Sequence, residues 1–142
     1  MLAFTGNSAP YIQMMHARCC SILREARIRD LPDRPGMNLP LWDGLPPADA
    51  GQLEAEQEVA LAKQLARLPL HVRRAGENFT PYVVAGWLYE SARAFSRFYD
   101  DLSVINAPTP DLRDARLRLV AAVAQALRNG LRLLGIQAPE RM

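Results

Sequence analysis

The sequence predicts an all-α fold, a bundle of about five helices with one long loop that is rich in proline and glycine. Apolar residues recur at helical spacing over several stretches, and no segment requires a strand. Eight prolines and glycines fall between residues 28 and 52, where a regular element is therefore not expected. The length of 142 residues, of which 49% are hydrophobic, is that of one domain with a sizeable core.

The stretch from residue 80 to residue 101 is predicted to be the central helix. Its apolar residues fill more than half of the helix circumference, so other elements must cover it on most sides. Thr80 is a good N-cap, and Pro81 suits the first helical position, where a missing N–H has no cost. The remaining surface is one narrow polar stripe, formed by Glu90, Arg93, Arg97 and Asp100.

The other elements follow from breakers and periodicity. Residues 1–9 are predicted to form an entry loop, and residues 28–52 a long surface loop. The predicted helices cover residues 10–27, 53–68, 70–76, 81–101 and 110–134. Thr109 and Pro110 repeat the cap signal of the central helix. Gly130 lies inside the last helix at a cost of about 1 kcal/mol relative to alanine, so we expect another backbone to approach closely there.

The first helix carries two distinct stripes. One stripe is apolar and predicted to be buried: Ile12, Met15, Cys19, Ile22, Leu23 and Ala26. The opposite stripe contains Tyr11, Met14, Arg18, Ser21 and Glu25. A ring, a thioether and a guanidinium in successive turns are unusual for a solvated surface. This stripe is either a second packing surface or a platform for stacking and hydrogen bonding to unpaired bases.

Charge and cysteine content limit the classes of function. The formal net charge of +2 is weak evidence for a polyanionic partner. All basic residues except Lys63 are arginines, which reflects either codon usage or recognition of phosphates and bases by planar guanidinium groups. The adjacent Cys19 and Cys20 point in different directions on a helix, which disfavours a disulfide or a metal site. The longest apolar run is too short to cross a bilayer, so we expect a cytoplasmic protein with no membrane partner.

Two long stretches of the sequence resemble a known family. They are FTGNSAPYIQMMHARCCSILREA near the N-terminus, and TPYVVAGWLYESARAFSRFYDDLSVI followed by DLRDARLRLVAAVAQALRNGLRLLGIQAPERM. Together they resemble the C-terminal anticodon-binding domain, called the DALR domain, of class I arginyl-tRNA synthetases. Several motifs in order over nearly the whole chain make this resemblance specific.

The resemblance implies a site for the anticodon loop of arginine tRNA, whose middle anticodon base is C. Carried over by position, the implied anticodon-binding residues are Tyr11, Met14, Arg18, Tyr99 and Met142, with Gly6 and Asn7 in a loop near the bases. Met14 departs from the family, which usually has a tyrosine there, and Met15 stands where alanine is usual. A thioether packs on a base but donates no hydrogen bond.

The sequence contains no recognisable catalytic set. HIGH- and KMSKS-type motifs are absent, as are a Ser/His/Asp set, a carboxylate pair and a glycine-rich phosphate loop. We interpret His16 as structural and find no partner for His71. The resemblance therefore implies a monomeric fragment of a longer enzyme, with no catalytic, metal or cofactor site of its own. ATP and arginine would bind to the catalytic domain of the parent enzyme.

Two alternatives stay open at the level of sequence. One is the related domain of another class I enzyme such as cysteinyl-tRNA synthetase, against which the ending LGIQAPERM argues. The other is a helical protein-interaction module, in which Tyr11, Met14 and Arg18 form a protein-binding patch.

Overall fold

The computed structural model describes residues 8–30 and 45–142. These residues form five α-helices and one short 3₁₀-helix, with no strand among them, and the predicted all-α fold is confirmed. The α-helices are α1 Ser8–Asp30, α2 Glu56–Ala66, α3 Leu68–Asn78, α4 Tyr82–Asp101 and α5 Pro110–Leu133; the 3₁₀-helix is Ala50–Gln52. Within the described part of the chain, no helix has the length and apolarity needed to cross a bilayer.

The core lies between α1, α4 and α5, and α2 and α3 also pack against α4. Three long helices thus share one apolar interior, as expected for a wide apolar arc on α4. The largest side chains fully buried in this interior include Ile12, Met15, Leu23, Leu88, Phe95, Phe98, Leu117, Leu127 and Leu131. The indole N–H of Trp87 donates to the carbonyl oxygen of Gln64 at 2.9 Å, which joins α4 to α2.

The predicted loop boundaries need correction. The entry loop 1–9 was predicted two residues too long, since α1 already begins at Ser8, and the loop 28–52 was predicted to begin too early, since α1 continues to Asp30. The physical reason for the later end is that the first helix-breaking residue after Arg27 is Pro32. At the other end of that loop, Ala50–Gln52 is a 3₁₀ turn. Residues 1–7 and 31–44 lie outside the described residues.

The two helices after the loop also differ from their predicted bounds. The predicted helix 53–68 is shorter in the structure, because the carboxylate of Glu58 accepts the N–H of Ala55 and so starts α2 at Glu56. The predicted helix 70–76 is longer, from Leu68 to Asn78. Pro69 lies in its first turn, where no backbone donor is needed, so it starts the helix as well as separating it from α2.

Only one of the two predicted threonine caps is present. The hydroxyl oxygen of Thr109 accepts the N–H of Leu112 at 3.2 Å and caps α5. The hydroxyl of Thr80 has no hydrogen-bond partner in the part of the chain that the structure describes, and the N-cap position of α4 is Pro81, so the predicted capping role of Thr80 is wrong. The reason is the tight junction after α3, where Phe79 adopts a left-handed backbone and the N–H of Thr80 bonds back to the carbonyl of Ala75. The central helix therefore begins at Tyr82 without a side-chain cap.

A buried ion pair connects α2, α5 and the segment that follows α4. Arg116 of α5 donates from Nε to the Oε1 atom of Glu58 on α2, and the two side chains are only 7% and 1% exposed. Arg116 also donates from its Nη1 atom to the carbonyl oxygen of Ser103, at 2.7 Å. A charged pair this deeply buried is tolerated only when its hydrogen-bonding groups are satisfied, and here the contacts come from α2, α5 and the segment that follows α4.

We predict that removing one member of this pair is far more costly than removing both. Arg116→Met leaves an uncompensated carboxylate in the core and should lower the free energy of unfolding by about 3–5 kcal/mol. The double variant Glu58→Leu/Arg116→Met should lose less than Arg116→Met alone. Urea denaturation of the single and double variants measures the coupling energy. Strictly additive losses would show that the two groups do not depend on each other.

Gly130 of α5 marks a close approach, but the predicted partner was wrong. A Cβ atom built at this position would lie 2.5 Å from the Cδ2 atom of Leu88, which is a side chain of α4 and not a second backbone. Leu88 is fully buried. Glycine suits this position because any larger residue would have to displace the leucine side chain of α4.

Gly130→Ala should therefore destabilise the protein, although alanine is the better helix former. Overpacking of this kind costs about 1–3 kcal/mol. The matched control is Gly86→Ala in α4, where a Cβ meets nothing within 4 Å and should stabilise by up to about 1 kcal/mol. Thermal denaturation of both variants gives the sign of each effect. Equal stabilisation by the two substitutions would contradict the packing argument.

Candidate functional site

The exposed stripe of α1 meets a tyrosine near the end of α4. The guanidinium carbon of Arg18 lies 4.8 Å from the ring centroid of Tyr99. Phe95, fully buried one turn earlier on α4, lies behind this tyrosine with a centroid distance of 6.1 Å. Met14 and Tyr99 are each 41% exposed. The result is a half-open surface on which a cation and a ring are already held in contact.

A second ring pair lies further along the same two helices. The rings of Tyr11 and Tyr89 are 5.8 Å apart and tilted by 54°. The guanidinium carbon of Arg93 lies 5.9 Å from the centroid of Tyr89. We use the name aromatic–arginine face for the surface formed by Tyr11, Met14 and Arg18 of α1 with Tyr89, Arg93 and Tyr99 of α4.

The two arginines of the aromatic–arginine face are not neutralised. Among the described residues, neither Arg18 nor Arg93 has an ion pair with a carboxylate, and their partners are the faces of tyrosine rings. A cation–π contact of this kind is worth about 0.5–1 kcal/mol at an exposed site and orients the guanidinium without cancelling its charge. Its N–H edges stay available to an anion or to base acceptors.

The C-terminal tail is reversed at Gly135 and returns along α1. Gly135 has φ of +73°, and the N–H groups of Gly135 and Ile136 bond to the carbonyls of Arg132 and Leu131, which is the Schellman arrangement. Side chains of α1 then hold backbone carbonyls of the tail. These hydrogen bonds run from Gln13 to Gln137, from His16 to Pro139 and from Arg24 to Glu140, at 2.8–2.9 Å.

His16 is the buried member of this set. Since a carbonyl accepts, its Nδ1 atom must carry the proton that bonds to Pro139. Its ring also lies 3.8 Å from the sulfur of Cys20. Burial lowers the pKa of His16 below its ordinary value, and the positive charge of Arg128 adds to this lowering. The histidine is therefore neutral in the fold at neutral pH, with a structural role in holding the tail.

The structure brings together four of the residues that the resemblance implied. Tyr11, Met14, Arg18 and Tyr99 share the aromatic–arginine face. Met142 is 73% exposed at the end of the tail. The α1 residues that hold the tail lie roughly 150° around the helix from Tyr11, Met14 and Arg18. Gly6 and Asn7 lie outside the described residues, so the roles of these two and of Met142 stay predictions.

Sequence reasoning missed Tyr89. Its half-buried ring was assigned neither to the apolar arc of α4 nor to the site, and Arg93 was placed only on the polar stripe. A signal was present, since an arginine one turn after a tyrosine, at the exposed edge of a helix, is the spacing that allows the guanidinium to lie over the ring.

The comparison with known families decides which domain this is. A model of the DALR anticodon binding domain matches residues 12–142. The chain belongs to the DALR anticodon-binding domain family. The resemblance predicted from the sequence is thereby confirmed.

The DALR domain described here is similar to parts of much longer proteins. Over its full length it is 50% identical to an arginine–tRNA ligase of Chloroflexus aggregans, and it is 45% identical over 143 residues to one of Thermococcus kodakarensis. It spans 23% and 21% of these two relatives. It matches the arginyl-tRNA synthetase of Thermus thermophilus with a TM-score of 0.78 and 34% identity, over 99% of this chain and 22% of that one.

The lowered pKa of His16 predicts a loss of stability in mild acid. In the unfolded chain the imidazole titrates near its ordinary pKa of about 6.5, so the unfolded state takes up the proton first as pH falls. The contribution of neutral His16 is therefore complete above about pH 6.5 and is lost as pH falls through the lower pKa of the folded state. Urea denaturation at pH 7.5 and 5.5 measures this difference.

The matched control for this pH dependence is His16→Asn. The asparagine amide can still donate to the carbonyl of Pro139 but does not titrate. The variant should lose less stability than the wild type between pH 7.5 and 5.5. An equal loss in both proteins would assign the acid sensitivity to other groups.

Proposed function

We propose that this DALR domain binds the anticodon loop of arginine tRNA, as the anticodon-binding part of an arginine–tRNA ligase. The observation that carries the proposal is Arg18, which lies 4.8 Å from the ring of Tyr99 and has no ion pair with a carboxylate of residues 8–30 and 45–142. Family membership and the identity to arginine–tRNA ligases support the same partner. Attachment of arginine with ATP is assigned to a separate catalytic domain of the longer enzyme.

The chemistry of the Arg18–Tyr99 pair suits an unpaired cytosine. Single-stranded loop bases are recognised by stacking on aromatic or guanidinium planes and by hydrogen bonds to their edges. Arginine only donates hydrogen bonds, and cytosine offers two adjacent acceptors, N3 and O2, on its Watson–Crick edge. Uracil places an N3–H donor at the same position, opposite the donors of Arg18. The pair therefore favours the middle C of an arginine anticodon over U.

The remaining implied residues are assigned to separate contacts with the same loop. Tyr11 offers a ring to another base of the loop, about 10 Å along α1 from Arg18, and Met14 packs on a base without a hydrogen bond. We assign Gly6 and Asn7 to the loop that approaches the splayed bases, and Met142 to a contact made by the end of the tail. We further propose that the parent enzyme is a cytoplasmic monomer.

The proposal predicts binding that depends on the middle anticodon base. A fluorescent anticodon stem-loop of arginine tRNA should bind to this chain, with an affinity that falls as salt rises. Changing the middle C to U should weaken binding at least about tenfold, the loss expected for a mispaired hydrogen-bonding edge. Fluorescence anisotropy at fixed salt measures both. Equal affinity for the two stem-loops would contradict the proposed recognition of C.

Two variants assign that recognition to the Arg18–Tyr99 pair. Arg18→Gln should reduce the affinity for the stem-loop with C at the middle position. It should also reduce the difference in affinity between the stem-loops with C and with U. Tyr99→Leu should reduce affinity by removal of a stacking surface, by about 1–3 kcal/mol. Far-ultraviolet circular dichroism and melting curves confirm that each variant is folded. Wild-type discrimination in folded Arg18→Gln would place the recognition elsewhere.

A further inference from the structure

The aromatic–arginine face contains a second arginine–tyrosine pair that the proposed recognition of the middle base does not use. Arg93 lies over Tyr89, and Tyr89 in turn contacts Tyr11. Neither Glu90 nor Asp100, the acidic residues of the exposed side of α4, forms an ion pair with Arg93 in the described part of the chain. This second group thus repeats the chemistry of Arg18 and Tyr99, with one additional ring.

We infer that Tyr11, Tyr89 and Arg93 form a second nucleotide subsite, in which a base lies against the tyrosine rings and Arg93 binds the phosphate of that nucleotide. The inference rests on the proposed function, because it takes the same anticodon loop as the ligand. It assigns to Tyr89 and Arg93 a role that is separate from the choice of the middle base.

The distance between the two subsites requires that the bases bound there are not stacked on each other. Tyr11 and Arg18 are seven residues apart on α1, which corresponds to about 10 Å along the helix axis. Stacked nucleotides advance by only about 3.4 Å per strand residue in a duplex. Two neighbouring bases in a continuous stack therefore cannot occupy both subsites. An unstacked loop, with bases turned outward, can span this distance.

The charges along the face favour a nucleotide over an apolar peptide. A guanidinium bound to a ring keeps its full charge, and planar donors of this type bind phosphate oxygens in pairs. The rings provide stacking surfaces that accept any base, since every base has a π-face. The second subsite should consequently add affinity without adding sequence discrimination.

Arg97 provides a matched control for Arg93. It lies one turn further along α4, is also exposed, and has no ring beneath its guanidinium among the described residues. Arg93→Gln and Arg97→Gln remove the same charge from the same helix. Only Arg93→Gln should lower affinity for the anticodon stem-loop by at least about fivefold, and it should reduce the slope of log K against log salt by about 0.7, the value for one phosphate contact on a single strand.

The ring of Tyr89 is tested by a second pair of variants. Tyr89→Phe keeps the ring, and its affinity for the anticodon stem-loop should be within about twofold of that of the wild type. Tyr89→Leu removes the ring and should bind the stem-loop at least about fivefold more weakly than the wild type. Melting curves of the two variants show whether the leucine is tolerated at this half-buried position. Where Tyr89→Leu does not fold, the comparison of Arg93→Gln with Arg97→Gln decides the proposal by itself.

Failure of this inference and failure of the proposed function have different signatures. Equal effects of Arg93→Gln and Arg97→Gln, in a wild type that still prefers C to U, would overturn the second subsite alone. Loss of the C preference from Arg93→Gln would also overturn it, because the subsite is not expected to read the middle base. A wild type without any preference between C and U would overturn the proposed function, whatever the two arginine variants do.

Discussion

The arrangement of the helices depends on the buried ion pair between Glu58 and Arg116. The hydrophobic effect that buries the core is non-directional, so a directional contact adds to what fixes the register of the helices. A charge pair without access to water has a fixed geometry, and this one is bonded to α2, to α5 and to the carbonyl of Ser103 after α4. Burial makes the pair costly to form, and removal of one partner is still more costly, so arrangements of the three segments that separate the two charges are disfavoured.

That fixed arrangement positions the site from both sides. On one side, Trp87 bonds to Gln64 and Leu88 fills the space left by Gly130, so α4 is held between α2 and α5. On the other side, α4 presents Tyr99 to α1, with Phe95 fixed behind it in the core. The ring that contacts Arg18 is therefore attached to a helix that packs against α1, α2, α3 and α5, and such preorganisation suits the proposed recognition of a flexible loop.

The parts of this structure that the sequence predicted are those set by local periodicity. The helices follow from apolar spacing, and the α1 stripe of Tyr11, Met14 and Arg18 needs only the angle between turns. What could not be predicted depends on partners distant in sequence. Within their own helices, Glu58 and Arg116 have the pattern of ordinary surface charges. They are 58 residues apart in sequence, and only the tertiary fold brings them into contact. The path of the tail is likewise decided by carbonyls bonded to α1, which no pattern around Met142 reveals.

The two interpretations of the α1 stripe turn out to be compatible. Two of its side chains, Tyr11 and Arg18, pack on a neighbouring helix as a structural stripe does, and each of them contacts a tyrosine ring there. A carboxylate partner would hold Arg18 equally well and cancel its charge, whereas a ring holds it and leaves the charge in place. The contact that stabilises the packing of the two helices therefore also orients Arg18 and leaves its positive charge available to bind an anion. Selection for a stable α1–α4 contact and for the proposed RNA-binding surface can therefore act on the same residues.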